Sequence, residues 1–216
     1  IENIRSDVVD IILASASPRR AELLKKITSN FQIMASDFEE SDIMFSGNCG
    51  EYVMTLAKGK AMAICSSVKK PTAIIGCDTV VYFKGEVLGK PKDSYEAFKM
   101  LSNLSNNTHE VYTGIAVINS QTKVINTEYV CTRVKFSRLS IKEINNYIET
   151  KEPLGMAGAY AIQGGASLFV KELKGCYYSV VGVASEQIIL YVKGNGGQSI
   201  KELFMGMTDR KSTRLN

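Results

Sequence analysis

Leu13-Ala-Ser-Ala-Ser-Pro-Arg-Arg-Ala-Glu-Leu-Leu24 is a run in which a strand pattern gives way to a helix within a few residues. Val8 to Leu13 is apolar and of strand length, whereas Leu23, Leu24 and Ile27 recur at helical spacing. Ser17 stands where a helix N-cap belongs, and Pro18 takes the first helical position, where its missing N–H costs nothing. A helix that starts directly after a strand aims free N–H groups and its positive dipole end at the connecting loop. Ser15, Ser17, Arg19 and Arg20 add two hydroxyls and two guanidiniums there. Arginine grips phosphate oxygens in bidentate fashion, so the cluster suits a polyphosphate. A capped helix with two solvated arginines explains the same residues, and the two readings stand level at this point.

Outward from this run, strand and helix patterns alternate. Phe31 to Ala35 reads as a short strand, Gly50 to Lys70 as an amphipathic helix, and Ala73 to Tyr82 as a buried strand. Lys84-Gly85 looks like a hairpin turn into Val87-Leu88. Asp93 or Ser94 caps a helix to about Leu104, and two long strands follow, Glu110 to Asn119 and Lys123 to Phe136. Ser140 with Glu143 makes a capping box for a helix ending near Lys151, before Pro153. A glycine-rich loop spans Gly155 to Gly165. Strands are expected at Leu168 to Leu173 and Tyr177 to Val181, and a last helix over roughly Ser185 to Val192. No repeat or linker interrupts the pattern. One mixed α/β domain is expected over residues 1–195, with 196–216 as an extension or tail.

Composition narrows the chemistry. The chain has 216 residues, of which 45% are apolar and 22% charged, which excludes a disordered or collagen-like chain. Its net charge of +4 is dispersed, whereas a nucleic-acid binder concentrates such a surplus on one helix or arm. A small anion fits better than a polymer. His109 is the only histidine, so a zinc site of several histidines is excluded. The five cysteines contain no C-x-x-C pair, the pattern of reduced thiols rather than a disulfide framework. Ala73 to Phe83, the longest apolar run, falls short of the about 20 residues that span a bilayer. The first ten residues carry four charges and show no signal-peptide pattern. Cytoplasm is the expected location, with no membrane partner.

Single residues sharpen this. In the Gly50 helix, Val53, Leu56, Ala57, Ala61 and Ile64 share one face, and Lys60 falls in its middle while Lys58 points away. A lysine there either snorkels to an edge or meets an anion in a cleft. Asp78 interrupts the apolar strand Ile74-Ile-Gly-Cys-Asp-Thr-Val-Val81, so it belongs at a strand end, against a cation or on a metal. With histidine nearly absent, a carboxylate is the natural base for activating water. Glu39 and Glu40 in the polar loop are further oxygen ligands for a hard cation, or simply a solvated acidic loop. Gly85-Glu-Val-Leu-Gly-Lys-Pro91 imitates a P-loop but is one residue short between its glycines, and Pro91 replaces the Mg²⁺-binding hydroxyl. His109 reads as structural and Cys77 as a buried, inert thiol.

Ala14-Ser-Ala-Ser-Pro-Arg-Arg-Ala-Glu-Leu-Leu24, Leu56-Ala-Lys-Gly-Lys-Ala61, Gly76-Cys-Asp-Thr79, Leu88-Gly-Lys-Pro91, Thr108-His-Glu-Val-Tyr-Thr-Gly114 and Gly158-Ala-Tyr-Ala-Ile-Gln-Gly164 together resemble the Maf family of nucleoside triphosphate pyrophosphatases. The resemblance runs in order from about Val8 to Val192. It implies the fold of the inosine-triphosphate pyrophosphatases: an elongated mixed β-sheet with flanking helices and a cleft between two lobes. It also implies a divalent metal, Mg²⁺ or Mn²⁺, and a cytoplasmic location. By resemblance, Asp78 matches the family's proton acceptor, and Arg19, Thr79 and Gln163 its specificity positions. Arg20, Glu39, Lys60 and Lys90 fit the cleft, with Ser15 and Ser17 beside them and Glu39 and Asp78 on the metal. Glu152-Pro-Leu-Gly-Met-Ala-Gly-Ala-Tyr-Ala-Ile-Gln163 is similar to the branch acting on dTTP and UTP, whereas the branch acting on 7-methyl-GTP carries Glu at the Gln163 position. One departure is Gly59, where related sequences often have Glu; it costs the helix up to about 1 kcal/mol.

The expected function is hydrolysis of nucleoside triphosphates, dTTP and UTP first, modified pyrimidine nucleotides among them, to monophosphate and pyrophosphate. This would cleanse the nucleotide pool, with a link to arrest of cell division. The competing readings are a nucleotide-binding regulator of septum formation with little turnover, and a pyrophosphatase preferring purines. The expected partner is the nucleotide alone, not a nucleic-acid polymer, and a homodimer is left open.

Overall fold

The structure, a computed structural model, describes residues 10–183 and Ile188. Strand β3 (Thr72–Phe83) is its axis. On one edge β3 pairs antiparallel with β5 (Thr108–Asn119) from Ala73 to Tyr82. β5 continues into β6 (Ile125–Phe136), and β6 into β7 (Val170–Lys174), all antiparallel. The other edge of β3 is shared. β1 (Asp10–Leu13) lies parallel to it over Thr72–Ile75, and β4 (Glu86–Leu88) antiparallel over Val81–Phe83. β2 (Gln32–Ile33) pairs parallel with the outer side of β1. Among the described residues the mixed sheet thus holds seven strands, ordered β2-β1-β3-β5-β6-β7 with β4 beside β3. Between β1 and β4, no strand among the described residues lies against the edge of β3 from Gly76 to Val80, and the cavity described below opens there.

Helices cover both faces. Strand alternation sends Ala73, Ile75 and Cys77 to one face, where α1 (Pro18–Lys25), α3 (Ser94–Leu104) and α4 (Ile141–Glu149) contribute Leu23, Leu24, Leu101, Leu104, Ile144 and Ile148 to the larger core. The opposite face takes Ile12, Ile74, Ala116 and Ile118 and packs on Ala57, Ala61 and Ile64 of α2 (Cys49–Cys65). α2 lies very close to the sheet. A Cβ on Gly76 would stand 2.1 Å from the Ala57 carbonyl oxygen, and one on Gly114 would stand 2.4 Å from that of Val53. Only glycine permits that approach. Asp78 follows Gly76 on the same face and sits opposite Gly114 in register, so the two glycines bring α2 down beside the carboxylate.

Of the two cap candidates Asp93 and Ser94, Asp93 caps α3, and the expected cap at Ser140 is present as a complete capping box with Glu143. Several boundaries differ. α2 ends at Cys65 rather than Lys70, because the Ser67 hydroxyl and N–H both donate to the Ile64 carbonyl and close the last turn. Ser17 is the N-cap residue of α1, but its side chain makes no capping bond; its own N–H donates to Ser15 Oγ instead, at 3.2 Å. Tyr177–Val181, expected as a strand, is the short helix α5. The sheet pairing of β7 ends at Lys174, and the Ser179 hydroxyl then folds back to donate to the Cys176 carbonyl at 2.7 Å. A mostly apolar run of five residues, here Tyr177-Tyr-Ser-Val-Val181, cannot distinguish one helical turn from a strand. The expected last helix over 185–192, apart from Ile188, and the tail 196–216 lie outside the described residues. No helix among the described residues is long and apolar enough to cross a membrane.

Candidate active site

The open edge of β3 borders a cavity of about 810 Å³. One side is the β1–α1 junction, Ala14 to Arg20. Its floor is Asp78 to Val81 with Lys60 and Leu56 of α2. Its far side is Leu88 to Lys90 and the segment from Gly155 to Gln163. The charged side chains on this lining are Arg19, Arg20, Lys60 and Lys90 against Glu40 and Asp78, four cations to two carboxylates. A surplus of two positive charges in a cleft favours a polyanion.

The junction works through its backbone as much as its side chains. The first intrahelical bond of α1 runs from the Ala21 N–H to the Ser17 carbonyl, at 3.2 Å. The N–H groups of Arg19 and Arg20 therefore have no partner within the helix. Arg20 donates from Nε to the Gly182 carbonyl at 3.0 Å and from Nη1 to Ser15 Oγ at 3.2 Å, so it ties the end of α5 to the junction. Arg19 makes no hydrogen bond or ion pair to a described residue and is free to meet a ligand.

Lys60 does not snorkel. Its ammonium is 2.8 Å from Glu40 Oε1 and is hydrogen-bonded to Asp78 Oδ1. The Lys60 and Asp78 side chains are 12% and 7% exposed, which makes this a largely desolvated pair, while Glu40 is 55% exposed. Burial pushes the Asp78 carboxyl above its ordinary range; Lys60 and Arg20 pull the other way without cancelling it, and Glu40 adds to the push. Glu40 shows the opposite balance. Burial would raise it, but the hydrogen bond and charge of Lys60, with Lys90 and Arg20, hold it below the usual carboxylate range. Two carboxylates on one ammonium are thus driven apart, the buried one towards basicity and the exposed one towards a permanent charge.

On the other side of β3, Thr79 Oγ1 lies 2.8 Å from Thr113 Oγ1, its cross-strand partner. Gln163 is exposed on the cavity rim, and the backbone around it is pinned on both sides. The Ala161 N–H donates to the Tyr147 hydroxyl at 3.0 Å, and the Gly165 N–H to Glu152 Oε2 at 3.1 Å. Burial raises the Tyr147 hydroxyl, with the Glu152 carboxylate beside it adding to the effect, so it stays protonated.

Ser15, Ser17, Arg19, Arg20, Lys60, Asp78, Thr79, Lys90 and Gln163 therefore share one cavity. Glu39 does not line it. Its Oε1 accepts from Ser41 Oγ at 2.9 Å in an exposed loop, and the next residue, Glu40, turns inward instead. Two adjacent glutamates look alike in sequence; the 3₁₀ turn Glu40–Asp42 decides which faces the cleft. Tyr147 and Glu152 were not recognised. Tyr147 reads only as part of the apolar face of α4, and Glu152 only as the opening of the stretch that ends at Gln163. His109 is fully buried against Phe136 and Tyr160, its Nε2 2.8 Å from the Tyr160 hydroxyl, and burial pushes it down to about 4. It is neutral packing, as expected. Burial pushes the Cys77 thiol up to about 11, which leaves it inert.

Sheet and cavity together define a mixed α/β protein whose cleft, lined by a surplus of cationic side chains, is built around a buried carboxylate. The chain belongs to the family described as Maf-like protein, whose model matches residues 10–193. It is 54% identical over 173 residues to the dTTP/UTP pyrophosphatase of Clostridium novyi (strain NT), covering 80% of this chain and 91% of that one. To the dTTP/UTP pyrophosphatase of Clostridium tetani (strain Massachusetts / E88) it is 47% identical over 189 residues, covering 87% and 98%. Among solved structures, the Ham1 protein of Staphylococcus aureus is similar with a TM-score of 0.41 at 15% identity, over 59% of this chain and 71% of that one.

Proposed function

We propose that this chain is a cytoplasmic nucleoside triphosphate pyrophosphatase that takes dTTP and UTP, splitting the bond between the α and β phosphates. The observation that carries the reading is the Lys60–Asp78 pair, buried at the centre of a cleft with Arg19, Arg20 and Lys90 around it. Asp78 accepts the proton of the attacking water, a task for which a carboxyl raised by burial is suited. Lys60 orients it. Arg19, Lys90 and the free N–H groups at the start of α1 hold the phosphate oxygens as charge develops on them. Gln163, with an amide that both donates and accepts, reads the edge of uracil or thymine. The names of the Clostridium relatives support the base preference.

The family implies a divalent metal. Glu40 and Asp78 fit one: both bring an oxygen to the same Lys60 ammonium, so the two carboxylates lie close enough together to share a second cation beside it. No group of three or more metal-binding side chains occurs among the described residues. Mg²⁺ commonly takes one or two carboxylates and completes its shell with phosphate and water oxygens. Bound there, it would supply positive charge to the phosphates; Glu40, rather than Glu39, would hold it with Asp78.

Pyrophosphate release from dTTP, UTP, CTP, dATP and GTP, by the wild type and Asp78→Asn, tests the reading. The expected result is release from dTTP and UTP that falls at least about a hundredfold in the variant, in line with loss of a general base. A variant of near-normal rate would remove Asp78 from the reaction.

A further inference from the structure

The hydroxyl pair on β3 and β5 has a direction. Thr113 Oγ1 is 2.7 Å from the Ser179 carbonyl oxygen, and a carbonyl can only accept, so the single hydroxyl proton of Thr113 is committed there. The 2.8 Å contact between Thr79 Oγ1 and Thr113 Oγ1 therefore needs its proton from Thr79. Thr113 and Ser179 are fully buried, so the bond between them is shielded from solvent. It is fixed from behind as well. Thr132 Oγ1 and Ser179 Oγ are 2.8 Å apart, Ser179 Oγ donates to the Cys176 carbonyl at 2.7 Å, and Thr132 Oγ1 accepts from the Cys176 N–H at 3.0 Å. These bonds hold α5, and with it the Ser179 carbonyl, against β5 and β6.

Thr79 thus enters the cavity with its proton turned away and only lone pairs facing inward. No described residue donates to it. We propose that Thr113 is a positioning residue that makes Thr79 an obligate hydrogen-bond acceptor, and that Thr79 thereby selects a hydrogen-bond donor on the nucleoside. This rests on the nucleotide reading of the cavity. In a pyrimidine nucleoside triphosphate the deprotonated phosphate oxygens and the ring carbonyls are acceptors, and set against Thr79 they would leave two acceptors facing with no proton between them. The donors are the ring N–H of uracil or thymine and the ribose hydroxyls. A threonine free to rotate would accept either kind of partner and discriminate poorly. The Thr113 proton, spent on a carbonyl more than sixty residues away in sequence, removes that freedom.

The test compares two ratios of kcat/KM: UTP over CTP, which reads the ring N–H, and dTTP over 2′,3′-dideoxythymidine triphosphate, which reads the 3′-hydroxyl. Thr113→Val keeps the shape but offers Thr79 no acceptor, so the Thr79 proton swings into the cavity. One of the two ratios is expected to fall at least fivefold while the other holds, which identifies the donor. Thr113→Ser keeps the hydroxyl and is expected within twofold of wild type in both. Thr79→Val should lower the same ratio as Thr113→Val. Should Thr113→Val not fold, Thr113→Ala removes the same hydroxyl with a smaller side chain and is read identically. Calorimetric affinities of the four nucleotides on an Asp78→Asn background give the same ratios without turnover. Equal losses on all four nucleotides, or wild-type ratios near one, overturn the proposal. Intact affinity ratios in a wild type that releases no pyrophosphate would overturn the hydrolysis reading and leave this one standing.

Discussion

Replacing Lys60 with Met removes the ammonium that Asp78 and Glu40 share and leaves an apolar side chain on the apolar face of α2. Glu40 is mostly in solvent and loses little. Asp78 is the expensive residue, because its carboxylate is left buried without a cation in contact, a loss that costs about 3–5 kcal/mol in comparable pairs. The carboxyl has an escape: it can take up a proton. Doing so at pH 7 from the ordinary Asp value of 3.8 crosses about three pH units at about 1.4 kcal/mol each, which caps the penalty near 4 kcal/mol. At pH 5 only about one unit separates the two, and the cap falls below about 2 kcal/mol. The sign follows from linkage. A carboxyl raised in the folded state contributes its full stability below the unfolded value and loses it as pH rises through the folded one. The deficit of Lys60→Met relative to wild type should therefore shrink by about 2 kcal/mol from pH 7 to pH 5. Urea unfolding of wild type, Lys60→Met, Asp78→Asn and the double variant at both pH values measures it. Asp78→Asn should restore most of the stability that Lys60→Met loses at pH 7. A deficit equal at both pH values, or one that Asp78→Asn leaves untouched, would refute the account of the pair.

Gln163→Glu should lower kcat/KM on dTTP and UTP by about ten- to a hundredfold, because a carboxylate oxygen then faces a base carbonyl, while a uniform drop across CTP and GTP would remove the base-reading role. Glu152→Ala frees the Gly165 N–H and loosens the turn after Gln163; KM for dTTP should rise about tenfold with kcat changed far less, and equal changes in both would contradict a binding role. Gly76→Ala drives a methyl into the Ala57 carbonyl, so melting should show a loss of about 1–3 kcal/mol together with reduced turnover as α2 lifts Lys60 from Asp78. The acid limb of kcat/KM should fall above the ordinary Asp range, since burial raises Asp78, and should move further up in Lys60→Met; a limb below pH 4 would point to a different base.

The alternation of strand and helix was legible because each long element carries its own period, and the caps at Asp93 and Ser140 because a cap is local chemistry. Lys60 and Asp78 stood out as charges in apolar runs. That they meet was not legible, since it depends on the approach of α2 to β3 that Gly76 and Gly114 permit, and a glycine says nothing in sequence about which helix will lie on it. The same limit hid Thr113, whose role exists only because strand register sets it opposite Thr79. Tyr177–Val181 was too short for its period to be decisive.

Gly59, read from sequence as a weak point in α2, has a different consequence in three dimensions. A Cβ at that position would stand 2.3 Å from the Phe38 ring, which lies on the bare backbone of the helix and also lines the cavity. Phe38 is two residues before Glu40 in the chain. The ring therefore acts as a peg, and its seat on the helix sets the height at which the acidic turn hangs over Asp78. A residue as small as alanine at position 59 would raise the peg and tilt Glu40 outward without touching a single charged group. The spacing between the two carboxylates is thus set in part by an uncharged residue beneath an aromatic ring.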